Sequence, residues 1–319
     1  SFLPGSEASV VDAMQPYHLH TLDLSQGAVL EKGCVYLVPL QEALALPTHI
    51  SALANAKSST GRVDVFTRLI TDGATAFDAV RVGYAGPLYA EIAPKAFSVL
   101  VRTGSRLNQI RFRDTSTAPT TPAELSQCLQ TAHQQHPLVN VPLQSEDFVR
   151  GIPFSVDLLG NGAPDSLIGY RARTHTGLVN LEKNRHHAWQ DFWEPLYAHP
   201  EGLILNPGDF YILASREAVS IPPEFAAEMM PFDAGVGEFR VHYAGFFDPG
   251  FGHAAAGGQG ARAVLEVRSH EVPFVLRHGQ VVGRLQYECM AAVPDVLYGQ
   301  LDNATSTASN YQKQGLALS

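Results

Sequence analysis

Short apolar runs rich in β-branched and aromatic residues recur along the chain, with Gly, Pro and Asp between them at roughly ten-residue intervals. Cys34-Val35-Tyr36-Leu37-Val38, Phe210-Tyr211-Ile212-Leu213, Ala263-Val264-Leu265-Glu266-Val267-Arg268 and Val272-Pro273-Phe274-Val275-Leu276 all read as strands. Arg277-His278-Gly279-Gln280 supplies a turn into Val281-Val282-Gly283-Arg284-Leu285, and Leu158-Leu159-Gly160-Asn161-Gly162 offers an Asn-Gly turn. Helical spacing is sparse. The best stretches are Pro122 to Gln135, opened by Thr121 as a cap, and about His186 to Tyr197. Many short strands at even spacing predict a mainly β chain, folded as a barrel or jelly-roll-like sandwich with a few short helices.

The pattern repeats itself. At a shift of 175 residues, Gly27, Gly33, Tyr36, Glu42 and Pro47 fall on Gly202, Gly208, Tyr211, Glu217 and Pro222 without a gap. Glu91, Arg102 and Gly104 fall on Glu266, Arg277 and Gly279 in the same register. A shared register of this length marks an internal duplication. The polar, Thr- and Pro-rich segment Asp114 to Thr121 ends the first copy. The division that follows is a first repeat over 1–115, a bridge of mixed β and helix over 116–198, a second repeat over 199–290 and a polar tail over 291–319.

Composition narrows the class. The 319 residues carry 22 Lys+Arg and 31 Asp+Glu, a formal charge of −9, with 45% hydrophobic and 17% charged residues. That is globular rather than disordered. The acidic balance disfavours a general nucleic-acid binder, though not a nucleotide ligand, which needs only a local cluster of donors. No run approaches the roughly 20 apolar residues of a membrane span. The start, Ser1-Phe2-Leu3-Pro4-Gly5, has no initiator Met and no signal-peptide pattern, so the natural N-terminus is expected upstream. Cys34, Cys128 and Cys289 are scattered and odd in number, which argues against a disulfide framework and for a cytoplasmic protein. With no C-x-x-C, a Cys-rich zinc site is also excluded, and the three are expected as small core residues.

Phosphate-loop, dinucleotide, nucleophile-elbow and H-E-x-x-H motifs are absent. What stands out is Lys57-Ser58-Ser59-Thr60-Gly61-Arg62, where two cations, three hydroxyls and a Gly offer the donors that a phosphate chain needs. A polar surface turn has the same composition. The second copy reads Phe232-Asp233-Ala234-Gly235-Val236-Gly237 there, without that capacity. The reverse holds for Ala244-Gly245-Phe246-Phe247-Asp248-Pro249-Gly250-Phe251-Gly252, whose Asp is Arg81 in the first copy. Each copy keeps what the other lacks.

KSSTGR, FDPGFG, AVLE and VPFVLRHGQVVGRLQYE together resemble the dCTP deaminase family of the dUTPase-related superfamily, in its long, internally duplicated form. The resemblance implies two tandem dUTPase-like distorted β-barrel repeats. It also implies that Ser58, Ser59 and Arg62 hold triphosphate and take part in the reaction centre, with Lys57, Thr60 and Gly61 in the same segment. It places Asp248 beside the deoxyribose, Glu266 as the catalytic glutamate after Val264 and Leu265, and Tyr298, Tyr311 and Gln314 on the nucleotide. The Lys that precedes the tail Tyr in many members is Asn310 here, with Lys313 as its substitute. An insert, His253 to Gly260, departs from the family pattern. Family sites lie between subunits, and three chains would supply the six repeats that a three-fold arrangement needs. Magnesium is implied only as a bridge between phosphate oxygens.

Replacing a cytosine amino group needs an activated water, a proton at N3 and a route out for ammonia. Zinc deaminases use a His- and Cys-held metal hydroxide, and no such ligand set occurs here. Glu266, buried at a strand end, would then act as the base, Ser58 would place the water or leaving group, and Arg62 would neutralise charge. Glu91, the first-repeat counterpart, is either a structural strand residue, a charge partner of Arg81, or itself catalytic. Rival readings are a dUTP diphosphatase, alone or combined with deamination through Asp248, and a nucleotide-sensing module without turnover.

Overall fold

The computed structural model describes residues 1–116, 120–160, 164–182, 187–230, 239–242, 245–269 and 271–300, the side chains of 164 and 239–242 excepted. The chain forms two compact units: Ser1–Pro119 with Arg173–Phe192, and Thr120–Ala172 with Trp193–Ser319. The stretch expected as a bridge is therefore shared between them.

Along the chain the strands are β1 (Ala28–Leu30), β2 (Tyr36–Ala45), β3 (Ile50–Ala56), β4 (Val65–Thr71), β5 (Ala79–Val80), β6 (Ala85–Pro94), β7 (Val99–Val101), β8 (Asn108–Asp114), β9 (Ile152–Ser155) and β10 (Leu167–Ala172). They continue as β11 (Val179–Asn180), β12 (Trp193–Tyr197), β13 (Leu203–Leu205), β14 (Tyr211–Val219), β15 (Phe225–Met230), β16 (Phe239–His242), β17 (Phe246–Phe247), β18 (Ala261–Ser269), β19 (Phe274–Leu276) and β20 (Val281–Cys289). In the first unit the sheets are β2-β6-β4, β5-β3-β8 and β1-β7-β11. In the second they are β12-β10-β14-β18-β16, β17-β15-β20-β9 and β13-β19. The fold is mainly β, as the strand pattern predicts.

The duplication is legible in the hydrogen-bond register. Strands β2 and β6 pair Leu37 with Glu91, slip between Pro39 and Ala43, and resume with Ala43 opposite Pro87. Strands β14 and β18 pair Ile212 with Glu266, slip between Ala214 and Ala218, and resume with Ala218 opposite Arg262. Every position in the second pair is 175 higher than in the first, bulge included. The same holds for Ile50 opposite Asp114 and Phe225 opposite Cys289. A turn repeats too: the Tyr36 hydroxyl accepts the Glu31 amide at 2.8 Å and the Tyr211 hydroxyl accepts the Asn206 amide at 2.9 Å.

A β-bulge leaves ladder groups unpaired, and side chains meet them in the second unit. Ser215 Oγ donates to the Glu217 carbonyl at 2.7 Å and accepts the Ala263 amide at 2.9 Å. The buried Glu217 carboxylate accepts the Ser155 amide at 2.8 Å and the Ser155 hydroxyl at 2.5 Å, tying β9 to the bulge. Helix α1 (Pro122–Gln135) forms where Thr121 predicts it, through a full capping box with Glu124. Its Leu129 joins the core of Ile152, Phe154, Leu213, Phe225, Leu265 and Leu285.

Two expectations are corrected. The expected helix over His186 to Tyr197 does not form in its described part, 187–197: there Trp189–Asp191 makes a single 3₁₀ turn, and Trp193–Tyr197 is β12, antiparallel to β10. Pro195 would break a helix, but on an edge strand its missing N–H costs no ladder bond. Trp193 packs its ring 6.0 Å from that of Phe210, which fixes the strand on its sheet. The cysteines are not core residues. Cys34, Cys128 and Cys289 are all exposed, in a turn before β2, on the outer face of α1 and at the end of β20. The Asn161-Gly162 turn lies outside the described residues.

Tyr287 on β20 is buried edge-on to Phe225 at 6.2 Å, and its hydroxyl is enclosed without a hydrogen-bond partner among the described residues. Burial pushes that hydroxyl far above the ordinary tyrosine range. Removing a desolvated, unpaired group should help rather than harm. Tyr287→Phe is expected to leave thermal stability unchanged or raise it by about 1–2 kcal/mol. A clear fall in Tm would show that the hydroxyl has a partner in solution.

Candidate functional site

The segment Lys57–Arg62 enters from β3 and forms one tight turn, Ser58–Gly61, with Lys57 as its N-cap. The amides of Thr60 and Gly61 bond to the Lys57 carbonyl at 2.9 and 3.0 Å, and the Arg62 amide to the Ser58 carbonyl at 3.0 Å. Thr60 turns inward, donating its hydroxyl to the Leu107 carbonyl at 2.9 Å, while the Lys57 amide donates to the same carbonyl at 2.9 Å. Ser58 and Ser59 are left exposed at the turn, with Lys57 and Arg62 half-buried on either side. Of the three hydroxyls expected to face a phosphate chain, two are exposed and the third anchors the turn. Asp64, fully buried and at φ +54°, stands directly behind the turn and was not singled out by the sequence pattern.

In the second unit, Glu266 is 5% exposed on β18, opposite Ile212 of β14 on one side and His242 of β16 on the other. Strand alternation puts half-buried Val264 on the Glu266 face and fully buried Leu265 on the core face. Leu265 can therefore meet a ligand only through its backbone. The β3·β5 ladder pairs Ala52 with Val80, and the β15·β17 ladder pairs Ala227 with Phe247. Arg81 and Asp248 thus each follow the last residue of equivalent strands, as the comparison of the two copies implies. Asp248 is exposed at the head of a turn in which the Phe251 amide donates to its carbonyl at 3.1 Å.

The root of the tail docks on this turn. The Tyr298 amide donates to the Pro249 carbonyl at 2.8 Å, and the Tyr298 ring lies 5.6 Å from that of Phe251. Gln300 holds the insert by donating its side-chain amide to the Ala255 carbonyl at 3.1 Å. Leu297 and Gln300 were not anticipated, because their partners lie dozens of residues away in sequence. Tyr311, Lys313 and Gln314 lie outside the described residues, as does Phe232-Asp233-Ala234-Gly235-Val236-Gly237. The structure thus brings Asp248 and Tyr298 together in one unit and keeps Lys57–Arg62 as a single turn in the other.

In the first repeat, Arg81 lies over the Tyr84 ring at 5.6 Å, and Glu91 faces Arg68 at 4.0 Å instead. Of the alternatives open for Glu91, a charge pair with Arg81 is not the one formed, because strand register sets Arg68 directly opposite Glu91. Among the described residues, no group of three or more His, Cys, Asp or Glu side chains is placed to hold a metal ion. No described helix is long and apolar enough to cross a membrane.

Two β repeats, one presenting a cation- and hydroxyl-bearing turn and the other a buried strand carboxylate, define a duplicated enzyme of dUTPase-like architecture. The model of the N-terminal domain of 2'-deoxycytidine 5'-triphosphate deaminase matches residues 1–116, and that of its C-terminal domain matches residues 125–319. The chain belongs to the 2'-deoxycytidine 5'-triphosphate deaminase family. A crystal structure of 2'-deoxycytidine 5'-triphosphate deaminase from Agrobacterium tumefaciens is 57% identical, with a TM-score of 0.83 over 91% of this chain and 85% of that one. Among curated proteins compared, none matches significantly.

Gly250 tests the docking of the tail root. Its φ is +94°, and a Cβ there would lie 2.7 Å from Leu297 Cβ and 3.1 Å from the Tyr298 amide nitrogen. Gly250→Ala is expected to free residues 297–300, seen as faster hydrogen exchange and earlier proteolysis at the tail root. Unchanged protection would show that the contact is not tight.

Proposed function

We propose that this chain hydrolyses dCTP to dUTP and ammonia, using a water activated by Glu266 without a metal ion at the base. The observation that carries the reading is a nearly buried carboxylate at the centre of β18, in a chain matched along nearly its whole length by the deaminase family. Glu266 takes a proton from water as its oxygen bonds to C4, and N3 gains that proton. The remaining hydroxyl proton then passes to the amino group, which leaves as ammonia. Water thus supplies the oxygen, one hydrogen to N3 and one to ammonia. Ser58 positions the water or the departing nitrogen, and Arg62 offsets negative charge.

Lys57 and Ser59, with the backbone of Thr60 and Gly61, hold the triphosphate. This cation- and hydroxyl-rich turn suits phosphate oxygens rather than a metal, so Mg2+ would arrive with the substrate and bridge those oxygens. Asp248 and Tyr298 hold the deoxyribose side, supported by their shared turn, with the backbone around Val264 and Leu265 beside the base. In this division of labour, repeat 1–115 gives the phosphate segment, 199–290 gives the Asp248 and Glu266 centre, 116–198 links them, and 291–319 closes over the nucleotide. The halves meet in a homo-oligomer, a trimer of chains, in the cytoplasm.

Liquid chromatography of purified protein with dCTP, dCMP, dUTP and Mg2+ tests the reading. Release of dUTP and ammonia from dCTP is expected. Conversion of dUTP to dUMP and pyrophosphate would mark a diphosphatase acting through Asp248, and thermal stabilisation by dCTP without turnover would mark a sensing module. Glu266→Gln should lower deamination by at least about 10³ while triphosphate still binds, whereas Arg62→Ala should damage both. Activity recovered on mixing the two variants would show that the halves come from different chains.

A lid role for the tail has its own readout. Deletion from Ala304 onward should raise KM strongly and leave Tm nearly unchanged, because that stretch is polar and poor in core-forming residues. Wild-type kinetics after truncation would end the lid assignment.

A further inference from the structure

The first repeat has its own buried carboxylate at the place that Glu266 holds in the second. Glu91 is 3% exposed and stands opposite Leu37, as Glu266 stands opposite Ile212. Its surroundings differ. One carboxylate oxygen accepts the Ser1 hydroxyl at 2.6 Å, and the other accepts the Phe2 amide at 3.3 Å. Across the ladder, Arg68 Nε lies 4.0 Å away, its guanidinium placed 4.2 Å from the ring centroids of both Phe66 and Phe77.

The segment that reaches Glu91 is held along its length. Phe2 and Leu3 pack on the buried cluster of Val10, Ile70, Ala74 and Tyr89. The Gly5 amide donates to the Ala74 carbonyl at 3.2 Å and the Gly73 amide to the Ala8 carbonyl at 3.0 Å. The Val10 amide then donates to the Asp72 carboxylate at 2.7 Å, and Val10 itself is fully buried. In the second repeat the equivalent stretch, 175 positions on, begins at Thr176 and is part of the 173–192 segment of the first unit.

We infer that residues 1–10 are a built-in occupant of the first repeat's counterpart of the reaction centre, with Glu91 as their anchor. Both Glu91 oxygens are engaged by the strap, and the cation across the ladder balances their charge. Glu91 is a positioning residue for the strap rather than a base. The first repeat's counterpart of the reaction centre is thus filled by the chain itself.

Hydrogen–deuterium exchange of residues 3–10 in the full chain tests this, with dCTP turnover measured on the same samples. Glu91→Gln removes the anchor's charge, and Leu3→Asp unseats the strap with no residue of β6 substituted. Both are expected to speed exchange of residues 3–10 at least about tenfold while turnover stays within about two-fold of wild type. Unchanged exchange in Leu3→Asp would overturn the inference, and this variant alone decides if Glu91→Gln does not fold. Turnover lost in Glu91→Gln as fully as in Glu266→Gln, with the fold intact, would overturn it too. The exchange measurement is independent of catalysis, so absent turnover in the wild type would count against the proposed reaction and not against the strap.

Discussion

A carboxylate inside a β-sheet has to be met by donors, because an ionised group out of water is stable only when paired or hydrogen-bonded. Glu91, Glu217 and Glu266 each occupy such a place, and the chain treats them differently. Glu217 is closed off by Ser155 and holds β9 onto a bulged strand. Glu91 is closed off by the first residues of the chain. Glu266 lies between two ladders whose partners at its level are Ile212 and His242. Much of the architecture follows from how these three groups are satisfied.

Duplication explains why the groups recur and divergence explains why their fates differ. The ladders β2·β6 and β14·β18 share register to the residue, including the bulge between Pro39 and Ala43 and that between Ala214 and Ala218. Such a register is hard to change, since a one-residue slip would move every core side chain to the wrong face. Loops and turns carry no such constraint. The Lys57–Arg62 turn therefore stands in one copy and the Asp-Pro-Gly turn in the other, after strands that pair in equivalent ways.

Local signals were readable and distant ones were not. Thr121 and Glu124 define a helix start within four residues, so Pro122–Gln135 is visible in the sequence and present in the structure. Trp193–Tyr197 carries aromatic, charged and Pro residues that suit more than one state. Pairing with β10 and packing of Trp193 on Phe210 decided for a strand. The inward turn of Thr60 depends on the Leu107 carbonyl, and the exposure of the cysteines depends on which face of each element met the core. Neither is written in the residues nearby.

By itself the sequence determined the strand-rich character, the duplication, the family and the division of motifs between the copies. All of these rest on residue type and spacing, which act locally or survive as register. Tertiary structure decided which of the like carboxylates is enclosed and by what. It turned Thr60 and Leu265 inward, docked Tyr298 on the Asp248 turn and set Ser1 and Phe2 on Glu91. These outcomes depend on contacts between residues tens of positions apart, and such contacts exist only once the sheets have formed.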